Sequence, residues 1–210
     1  MIEARDLTFG YQRGCPVLRE WSGTIERGET VAIVGPSGCG KSTLLYLLGT
    51  LVRPWSGSLR IGGVEATALG DGARSDIRAT TIGFVFQDAM LDPRRSVLDN
   101  VVEAAVYAGT SRRQAEDRAR ALLAELDVDV EPERRAIDLS GGQAQRVALC
   151  RALLAAPSVI LADEPAGNLD RGNAASVEGV LFGQARAGAA VVIVTHDESL
   201  AERCDRRYRL

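Results

Sequence analysis

One segment of the chain combines a glycine spacing with a lysine in a way that suits phosphate binding. Residues 35–43 fit the pattern of a glycine, four residues, and then glycine, lysine and serine or threonine. Glycines let backbone N–H groups turn toward phosphate oxygens without a Cβ in the way, and a helix N-terminus adds positive potential. The predicted nucleotide ligands are Gly35, Ser37, Gly38, Cys39, Gly40, Lys41, Ser42 and Thr43.

Two side chains of this segment have separate predicted roles. Lys41 is the only lysine among 210 residues, and we expect its ammonium group to neutralise charge on the β- and γ-phosphates of a nucleotide. We expect the Ser42 hydroxyl to bind Mg²⁺. The segment follows an apolar run and precedes the helical run Thr43 to Leu48, which is the context that this motif requires.

Four short apolar runs, rich in β-branched residues, indicate the strands that position this chemistry. Because they lack polar alternation, they are typical of a parallel sheet that is covered on both faces. Each run ends in glycine or polar residues, and ligands of open α/β sheets bind at that carboxyl edge. The runs are Thr30–Val34, Ile82–Phe86, Val159–Ala162 and Ala190–Val194.

A helical region separates the second run from the third. Ser111 is a predicted N-cap, and an apolar stripe follows it from Ala115 to Leu126. A second helix is predicted from Gln143 to Ala155, ending before Pro157.

The rest of the chain reads as an α/β core with a small antiparallel region. The first ~30 residues and residues 58–63 predict short antiparallel strands and turns. We therefore expect one domain over 1–210, with a core of about 1–87 and 157–210 and a helical subdomain of about 88–156.

Composition narrows the possible partners and compartment. The net charge of −3 and the sequence pI near 5.4 argue against a duplex-DNA binder with a broad basic surface. No apolar run approaches the ~18 residues needed to span a bilayer, and the charged N-terminus lacks the apolar core of a signal peptide. We expect a cytoplasmic protein whose membrane role, if it has one, depends on a partner.

The four cysteines form no CxxC pair, which favours free thiols in a reducing compartment. Cys39 lies inside the phosphate-binding segment. We expect a bulky thiol reagent at this residue to block nucleotide binding.

A second glycine-rich loop, Leu139 to Gln143, stands at the start of a helix. One interpretation is a serine N-cap followed by a glycine turn. The other is a second anion site built on backbone N–H groups. Since one nucleotide per chain already has a binding loop, a second loop is useful if it closes over the γ-phosphate bound by another chain.

With this loop in place, the sequence resembles the ATP-binding-cassette (ABC) ATPases. Residues 139–143, Leu-Ser-Gly-Gly-Gln, match the signature motif of that family at every position, and the expected motifs occur in order over nearly the whole chain. Ile82–Gln87 and Leu161–Asp170 are most similar to the lipoprotein-release and macrolide-export types, with the cell-division type close behind. The resemblance implies an α/β fold: a P-loop NTPase (RecA-like) core with a helical subdomain insertion and a small N-terminal antiparallel β region.

The resemblance also implies roles at the ends of the apolar runs. Val159–Asp163 resembles the Walker B strand, so Asp163 is an expected Mg²⁺ ligand and Glu164 the general base that polarises water. Gln87 resembles the Q-loop residue, which contacts Mg²⁺ or the attacking water. His196, the only histidine, resembles the switch histidine that hydrogen-bonds the γ-phosphate.

Further residues match family motifs that contact the adenine base of the nucleotide or the partner chain. Tyr11 matches the aromatic residue that stacks on adenine, with a packed tyrosine as the alternative and Phe9 or Trp21 as competitors. Asp170 resembles the D-loop residue that crosses a dimer interface. The signature residues expected to act on the partner's nucleotide are Ser140, Gly141, Gly142 and Gln143.

The resemblance therefore implies an ATPase that uses ATP and Mg²⁺ and forms a homodimer on ATP binding. Residues 88–93, after Gln87, are expected to face integral-membrane permease subunits, which would hold the chain at the inner face of the cell membrane. No nucleic-acid partner is expected. The alternative is a regulatory ATPase of the cell-division type, which signals across the membrane without transporting a substrate.

The resemblance also puts the last strand of the fold near Arg209 and Leu210, where this chain stops. The expected consequence is a truncated strand at the edge of the sheet.

Overall fold

The computed structural model describes residues 1–107 and 109–210, except for the side chains of residues 106 and 107. Two sheets and a set of helices make up this part of the chain. The strands are β1 (Ile2–Phe9), β2 (Leu18–Ile25), β3 (Thr30–Val34), β4 (Ser56–Ile61), β5 (Val64–Glu65), β6 (Ile82–Val85), β7 (Val159–Asp163), β8 (Ala190–Val194) and β9 (Arg206–Arg209). The helices are α1 (Lys41–Leu48), α2 (Asp71–Thr81), α3 (Val97–Tyr107), α4 (Arg112–Glu125), α5 (Gly141–Leu153), α6 (Arg171–Arg186) and α7 (Glu198–Glu202).

The central sheet is parallel, with strand order β6-β7-β8-β3-β9. Every residue of β3, β7 and β8 is buried. The prediction that continuous apolar runs form strands covered on both faces is thus confirmed for these three runs. The fourth run forms the edge strand β6, in which Phe84 is half-buried. Because all five strands are parallel, their carboxyl ends meet at one edge.

β9 pairs with β3 over Val31–Val34, so this short edge strand is formed. Its residues alternate between half-buried and exposed. Asp205, just before β9, accepts hydrogen bonds from the backbone N–H and the hydroxyl of Thr30 at 2.8 and 2.6 Å.

The N-terminal region forms an antiparallel sheet of order β2-β1-β4-β5, as the sequence predicts. Its inner residues Ile2, Leu7 and Ile25 join the core with the apolar side of α1. The antiparallel sheet and α1 therefore cover the same face of the central sheet.

The helical region packs against the other face of the central sheet. Val101 of α3 and Leu149 of α5 share one apolar cluster with Val85 of β6 and Ile160 of β7. This shared core joins the predicted helical insertion to the α/β part of the chain.

Helix boundaries differ from the sequence prediction at a few residues. α5 begins at Gly141 and not at Gln143, because Ser140 and Gln143 form a reciprocal capping box. It ends at Leu153, two residues before the predicted end. Sequence patterning did not predict α2, whose residues are mostly polar and none of which is buried.

Within the residues that the structure describes, no helix is both long enough and apolar enough to cross a membrane.

Candidate functional site

The phosphate-binding loop connects β3 to α1, at the carboxyl edge of the central sheet. Gly40 is the N-cap of α1 and has a φ of 104°, a left-handed conformation that favours glycine. Having no side chain, Gly40 leaves the first N–H groups of α1 without a side-chain cap. The Lys41 ammonium donates to the carbonyls of Gly35 and Pro36, each at 2.9 Å, which holds it over the loop. The free N–H groups at the start of α1 and the Lys41 ammonium thus lie at the same loop.

Cys39 is half-buried within this loop. A Cβ built on Gly35 would lie only 2.8 Å from the Cys39 sulfur and 2.8 Å from the Leu210 carbonyl oxygen. The thiol therefore lies beside the loop backbone, and a bulky group added to it would have to displace loop atoms.

Ser42 and Asp163 form a pair of oxygen ligands beside the loop. The Ser42 hydroxyl donates to Asp163 Oδ1 at 3.1 Å. Burial raises the pKa of the Asp163 carboxyl, the Ser42 hydrogen bond opposes the rise, and the Glu164 charge adds to it. A hydroxyl and a buried carboxylate are oxygen ligands of the kind that Mg²⁺ prefers.

Glu164 and His196 meet at the ends of β7 and β8. Glu164 Oε2 lies 2.9 Å from His196 Nδ1. Since a carboxylate can only accept, His196 Nδ1 is the donor, and the ring Nε2 remains for another partner. The Glu164 side chain is 15% exposed and that of His196 is 71% exposed. The pair therefore joins a sheltered carboxylate to an imidazole that reaches solvent.

The backbone of Glu164 has a φ of 46°, which is uncommon for a residue with a side chain. Its N–H donates to the Val194 carbonyl at 2.9 Å, and its carbonyl accepts from Gly167 at 3.1 Å. These two hydrogen bonds hold the turn after β7 and so fix where the carboxylate leaves the sheet. Strain of this kind is concentrated at functional sites.

Gln87 follows β6 at the same edge and is exposed. Its amide lies 3.5 Å from Asn168 Oδ1, at the limit of a hydrogen bond. A Cβ on Gly167 would lie 3.6 Å from Glu164 and 3.7 Å from Gln87, so these two side chains flank the same glycine. The structure therefore brings Gln87 close to Glu164.

Tyr11 is the exposed member of the three aromatic candidates for base stacking. It is 64% exposed, its hydroxyl lies 3.2 Å from Thr43 Oγ1, and its ring packs edge-on against Phe9. Phe9 is buried and Trp21 packs against Tyr208. Sequence reasoning did not weigh Trp55, which is 43% exposed and lies beyond Phe9.

The signature loop lies at the N-terminus of α5. Ser140 Oγ accepts from Gln143 N at 3.3 Å, and Gln143 Oε1 accepts from Ser140 N at 3.0 Å. Ser140 and Gly141 are exposed, and Gly142 is half-buried. The capping interpretation of the serine is correct, and it leaves the loop's glycines at the surface, where backbone N–H groups can meet an anion.

Asp170 is the N-cap of α6. Its Oδ1 accepts from the N–H groups of Gly172 and Asn173, each at 3.0 Å. Hydrogen bonds from Asn173, first from its backbone and then from its side chain, hold the pKa of the Asp170 carboxyl below its usual value. The carboxylate therefore stays ionised at an exposed position.

Sequence reasoning assigned no role to three residues that contact the site. Gln145 on α5 donates to the Phe86 carbonyl at 2.8 Å. Arg151 on the same helix donates to the Ala89 and Met90 carbonyls at 2.8 and 2.7 Å. Asn173 on α6 accepts from Arg146 at 2.8 Å. No local signal in the sequence marks them, because their partners lie 27 to 62 residues away.

A groove opens beside the segment that follows Gln87. It has a volume of ≈ 490 Å³ between α2, α3, α5 and the end of β6. Met90 at its edge is 67% exposed and has a φ of 52°. Leu51, Phe84 and Phe86 add apolar lining. Arg151 lines the groove while it holds the backbone of Met90.

The chain is similar to a known protein family and to characterised members of it. A family model described as ABC transporter matches residues 18–167. The chain is 46% identical over 215 residues to the lipoprotein-releasing system ATP-binding protein LolD of Cereibacter sphaeroides, which covers 100% of this chain and 96% of that protein. It is 47% identical over 189 residues to the macrolide export ATP-binding/permease protein MacB of Rhodopseudomonas palustris, covering 90% of this chain and 29% of that protein.

Among solved structures, the ATP-binding cassette MJ0796 is similar over the whole chain. In its dimeric post-hydrolysis state with ADP and Pi, it has a TM-score of 0.91 and 34% identity, covering 100% of this chain and 94% of that chain. The fold is therefore that of the P-loop NTPase cassettes, as the sequence predicts.

Proposed function

The chain belongs to the ABC transporter family, and we propose that it is the ATPase subunit of a transporter of the lipoprotein-releasing type. It binds and hydrolyses ATP and powers a separate membrane permease through ATP-driven closure of a dimer. The observation that carries the proposed ATP hydrolysis is the meeting of Lys41, Asp163, Glu164 and His196 at one sheet edge. The proposed transporter type rests on the similarity to the LolD relatives. The names of the LolD and MacB relatives favour transport over the regulatory alternative.

In this proposal the phosphate-binding loop holds the triphosphate and Lys41 neutralises its terminal charge. Glu164 takes a proton from the attacking water, a role supported by its sheltered position and by the short contact with His196. With Nδ1 donating to Glu164, the His196 Nε2 atom would donate to the γ-phosphate when the ring carries a proton on both nitrogens. Gln87, beside Gly167, contacts the water or the cation.

Mg²⁺ fits the oxygen pair of Ser42 and Asp163. Burial, and then the charge of Glu164, raise the pKa of Asp163, because both make its negative charge less favourable. A cation beside Asp163 would offset that unfavourable charge. Bound there with the nucleotide phosphates, Mg²⁺ would neutralise charge that develops on them. The protein's part is to supply these two oxygens, and the charge of a bound Mg²⁺ would favour the ionised form of Asp163.

Tyr11 is the proposed adenine contact. Its exposed ring stands beside Thr43, at the start of α1, and packs edge-on against Phe9 so that a ring face is open for stacking.

The proposed active form is a dimer in which each nucleotide lies between two chains. One chain supplies the phosphate-binding loop, and the partner supplies its signature loop and Asp170. The exposed Ser140 and Gly141 on α5 support this arrangement, as does the ionised carboxylate at the surface of α6. The dimeric state of MJ0796 with ADP and Pi supports it further.

The groove beside Gln87 is the proposed docking site for the permease. Its apolar lining and exposed Met90 suit an amphipathic helix, which lays its apolar face into such a groove. Docking there would hold the chain at the cytoplasmic face of the membrane.

Gel filtration with ATP and Mg²⁺ tests the proposal, using wild type and Glu164→Gln with ATPase rates alongside. We expect Glu164→Gln to bind ATP, to lose hydrolysis by about 10²–10⁴-fold and to elute as a dimer. A variant that stays monomeric at high concentration and hydrolyses normally would refute both the role of Glu164 and the two-chain site.

A further inference from the structure

Asn173, at the start of α6, contacts three residues that belong to two separate motifs. Its Oδ1 accepts from Arg146 Nη1 at 2.8 Å, and its Nδ2 donates to Asp170 Oδ2 at 2.5 Å. A Cβ built on Gly142 would lie 2.7 to 2.8 Å from Cγ, Nδ2 and Oδ1 of Asn173. The amide group therefore lies directly against the second glycine of the signature loop.

The partners leave the amide one orientation. If it were turned by 180°, Nδ2 would face the Arg146 donor and Oδ1 would face the Asp170 carboxylate, and both contacts would be repulsive. Glycine at 142 is what allows the amide to come this close, because any side chain would displace it. The signature loop and the start of α6 are thus joined by a defined set of contacts.

Helix capping does not account for this arrangement. The N-terminus of α6 is capped by Asp170 Oδ1, which accepts from the backbone of Gly172 and Asn173. The Asn173 side chain instead uses the other carboxylate oxygen and reaches across to α5. Its contacts orient Asp170 relative to Gly142 and Arg146.

We propose that Asn173 is a positioning residue that ties Asp170 to the signature loop, so that both keep one relative arrangement when they meet the partner chain. This inference rests on the proposed two-chain site. The contacts of the Asn173 side chain run to Arg146, Asp170 and Gly142, and none runs to the phosphate-binding loop of its own chain. The residue should therefore affect dimer closure and leave the binding of ATP to a single chain unchanged.

The test uses Glu164→Gln as the parent, because hydrolysis does not then deplete the dimer. Asn173→Ala removes both side-chain hydrogen bonds, and we expect about a tenfold rise in the dimer dissociation constant with ATP and Mg²⁺. Sedimentation equilibrium measures that constant. A fluorescent ATP analogue, at concentrations where the chain is monomeric, should bind with unchanged affinity.

Two further variants complete the design. Asn173→Asp keeps the size of the side chain and an acceptor for Arg146, but it puts a second carboxylate against Asp170; we expect it to fold and to weaken the dimer as well. Gln184→Ala removes another half-buried amide from α6, far from these contacts, and should leave the dimer constant unchanged.

The outcomes separate the inference from the proposed function. If the parent dimerises and both Asn173 variants dimerise equally well, Asn173 has no positioning role and the proposed function stands. If the parent itself does not dimerise with ATP, the two-chain site is wrong and the inference falls with it. Weaker binding of the analogue to monomeric Asn173→Ala would also overturn the inference, since it would indicate a general structural effect.

Discussion

At the scale of single residues, the site depends on side chains whose surroundings decide their chemistry. Glu164 is sheltered and bonded to His196, whereas Asp163 is buried against Ser42. Two adjacent carboxylates thus have different partners, which suits one to proton transfer and the other to cation binding. The cysteines differ in the same way: Cys39 borders the phosphate site, while burial raises the pKa of Cys150 to about 12.

The Cys39 environment gives the first residue-scale prediction. A bulky maleimide should react at Cys39 and abolish nucleotide binding. The half-buried thiol packs against the backbone of the phosphate-binding loop, so the added group would distort that loop. Cys150 should stay unmodified, since its thiol is buried and protonated. Nucleotide binding after labelling, with peptide mass mapping, measures both effects. Cys39→Ser should resist the reagent; if that variant is inactivated equally, the effect arises elsewhere.

A second residue-scale prediction concerns pH and stability. Hydrogen bonds from the Thr30 side chain and backbone lower the pKa of Asp205 below its ordinary value of 3.8. Since the folded pKa lies below the unfolded one, this stabilisation is fully present above pH about 4 and is lost as pH falls through the folded pKa. Urea unfolding of wild type and Asp205→Asn should show a difference at pH 7 that shrinks below pH 4. A difference that is constant with pH would contradict this assignment.

Motifs made of contiguous residues could be recognised in the sequence. Hydrogen bonds between residues far apart in the chain could not. The phosphate-binding residues 35–43 and the signature residues 139–143 are contiguous, so their types and order point to their chemistry. Asn173 and Arg151 act on residues that only the fold brings near them. Their roles depend on tertiary packing that no local pattern encodes.

At the scale of elements, helix α5 connects the parts of the site. It carries the signature loop at its N-terminus, and its later turns reach the segment after β6 through Gln145 and Arg151. Gln145 and Arg151 thus join the helix that carries the signature loop to the segment beside the groove.

The Arg151 contacts give a prediction for this element. Arg151→Leu should leave the Ala89 and Met90 carbonyls without their donor, and we expect a loss of about 1–3 kcal/mol in the free energy of unfolding. Urea denaturation measures the loss. Arg113→Leu, at an exposed position on α4, should change stability by less than about 0.5 kcal/mol. Equal effects of the two substitutions would argue against the role of Arg151.

Elements differed in how far the sequence predicts them. β3, β7 and β8 were predictable because strands buried on both faces are continuously apolar. α2 was not predicted from patterning, since its residues are mostly polar and none of them is buried. β9 has the sequence Arg-Arg-Tyr-Arg, which has no apolar pattern, so only the family resemblance predicts a last strand there; its pairing with β3 confirms it.

At the scale of the whole molecule, each chain carries the two loops of the proposed nucleotide site at separate places. Its phosphate-binding loop lies at the edge of the central sheet, and its signature loop lies on α5 at the surface. Two copies with twofold symmetry would bring each loop of one chain to the other loop of its partner, which is the isologous arrangement common in homodimers.

This arrangement predicts a rate that depends on concentration. The ATPase rate per chain should rise with chain concentration and then level off, because dimers alone hold a complete site. A rate per chain measured over about a hundredfold range of concentration, at saturating ATP, tests this. Gly142→Trp should remove the rise, since the side chain would displace Asn173. A constant rate per chain would mean that the single chain is the active unit.

The position of the single lysine has a consequence for spectroscopy. Lys41 Nζ bonds two loop carbonyls at 2.9 Å, and no other side-chain amine exists in the sequence. Protein grown with ¹⁵N-labelled lysine would therefore give one ammonium resonance, located at the proposed site of the terminal phosphate. That resonance would report nucleotide occupancy and turnover directly, without any tag or substitution in the chain.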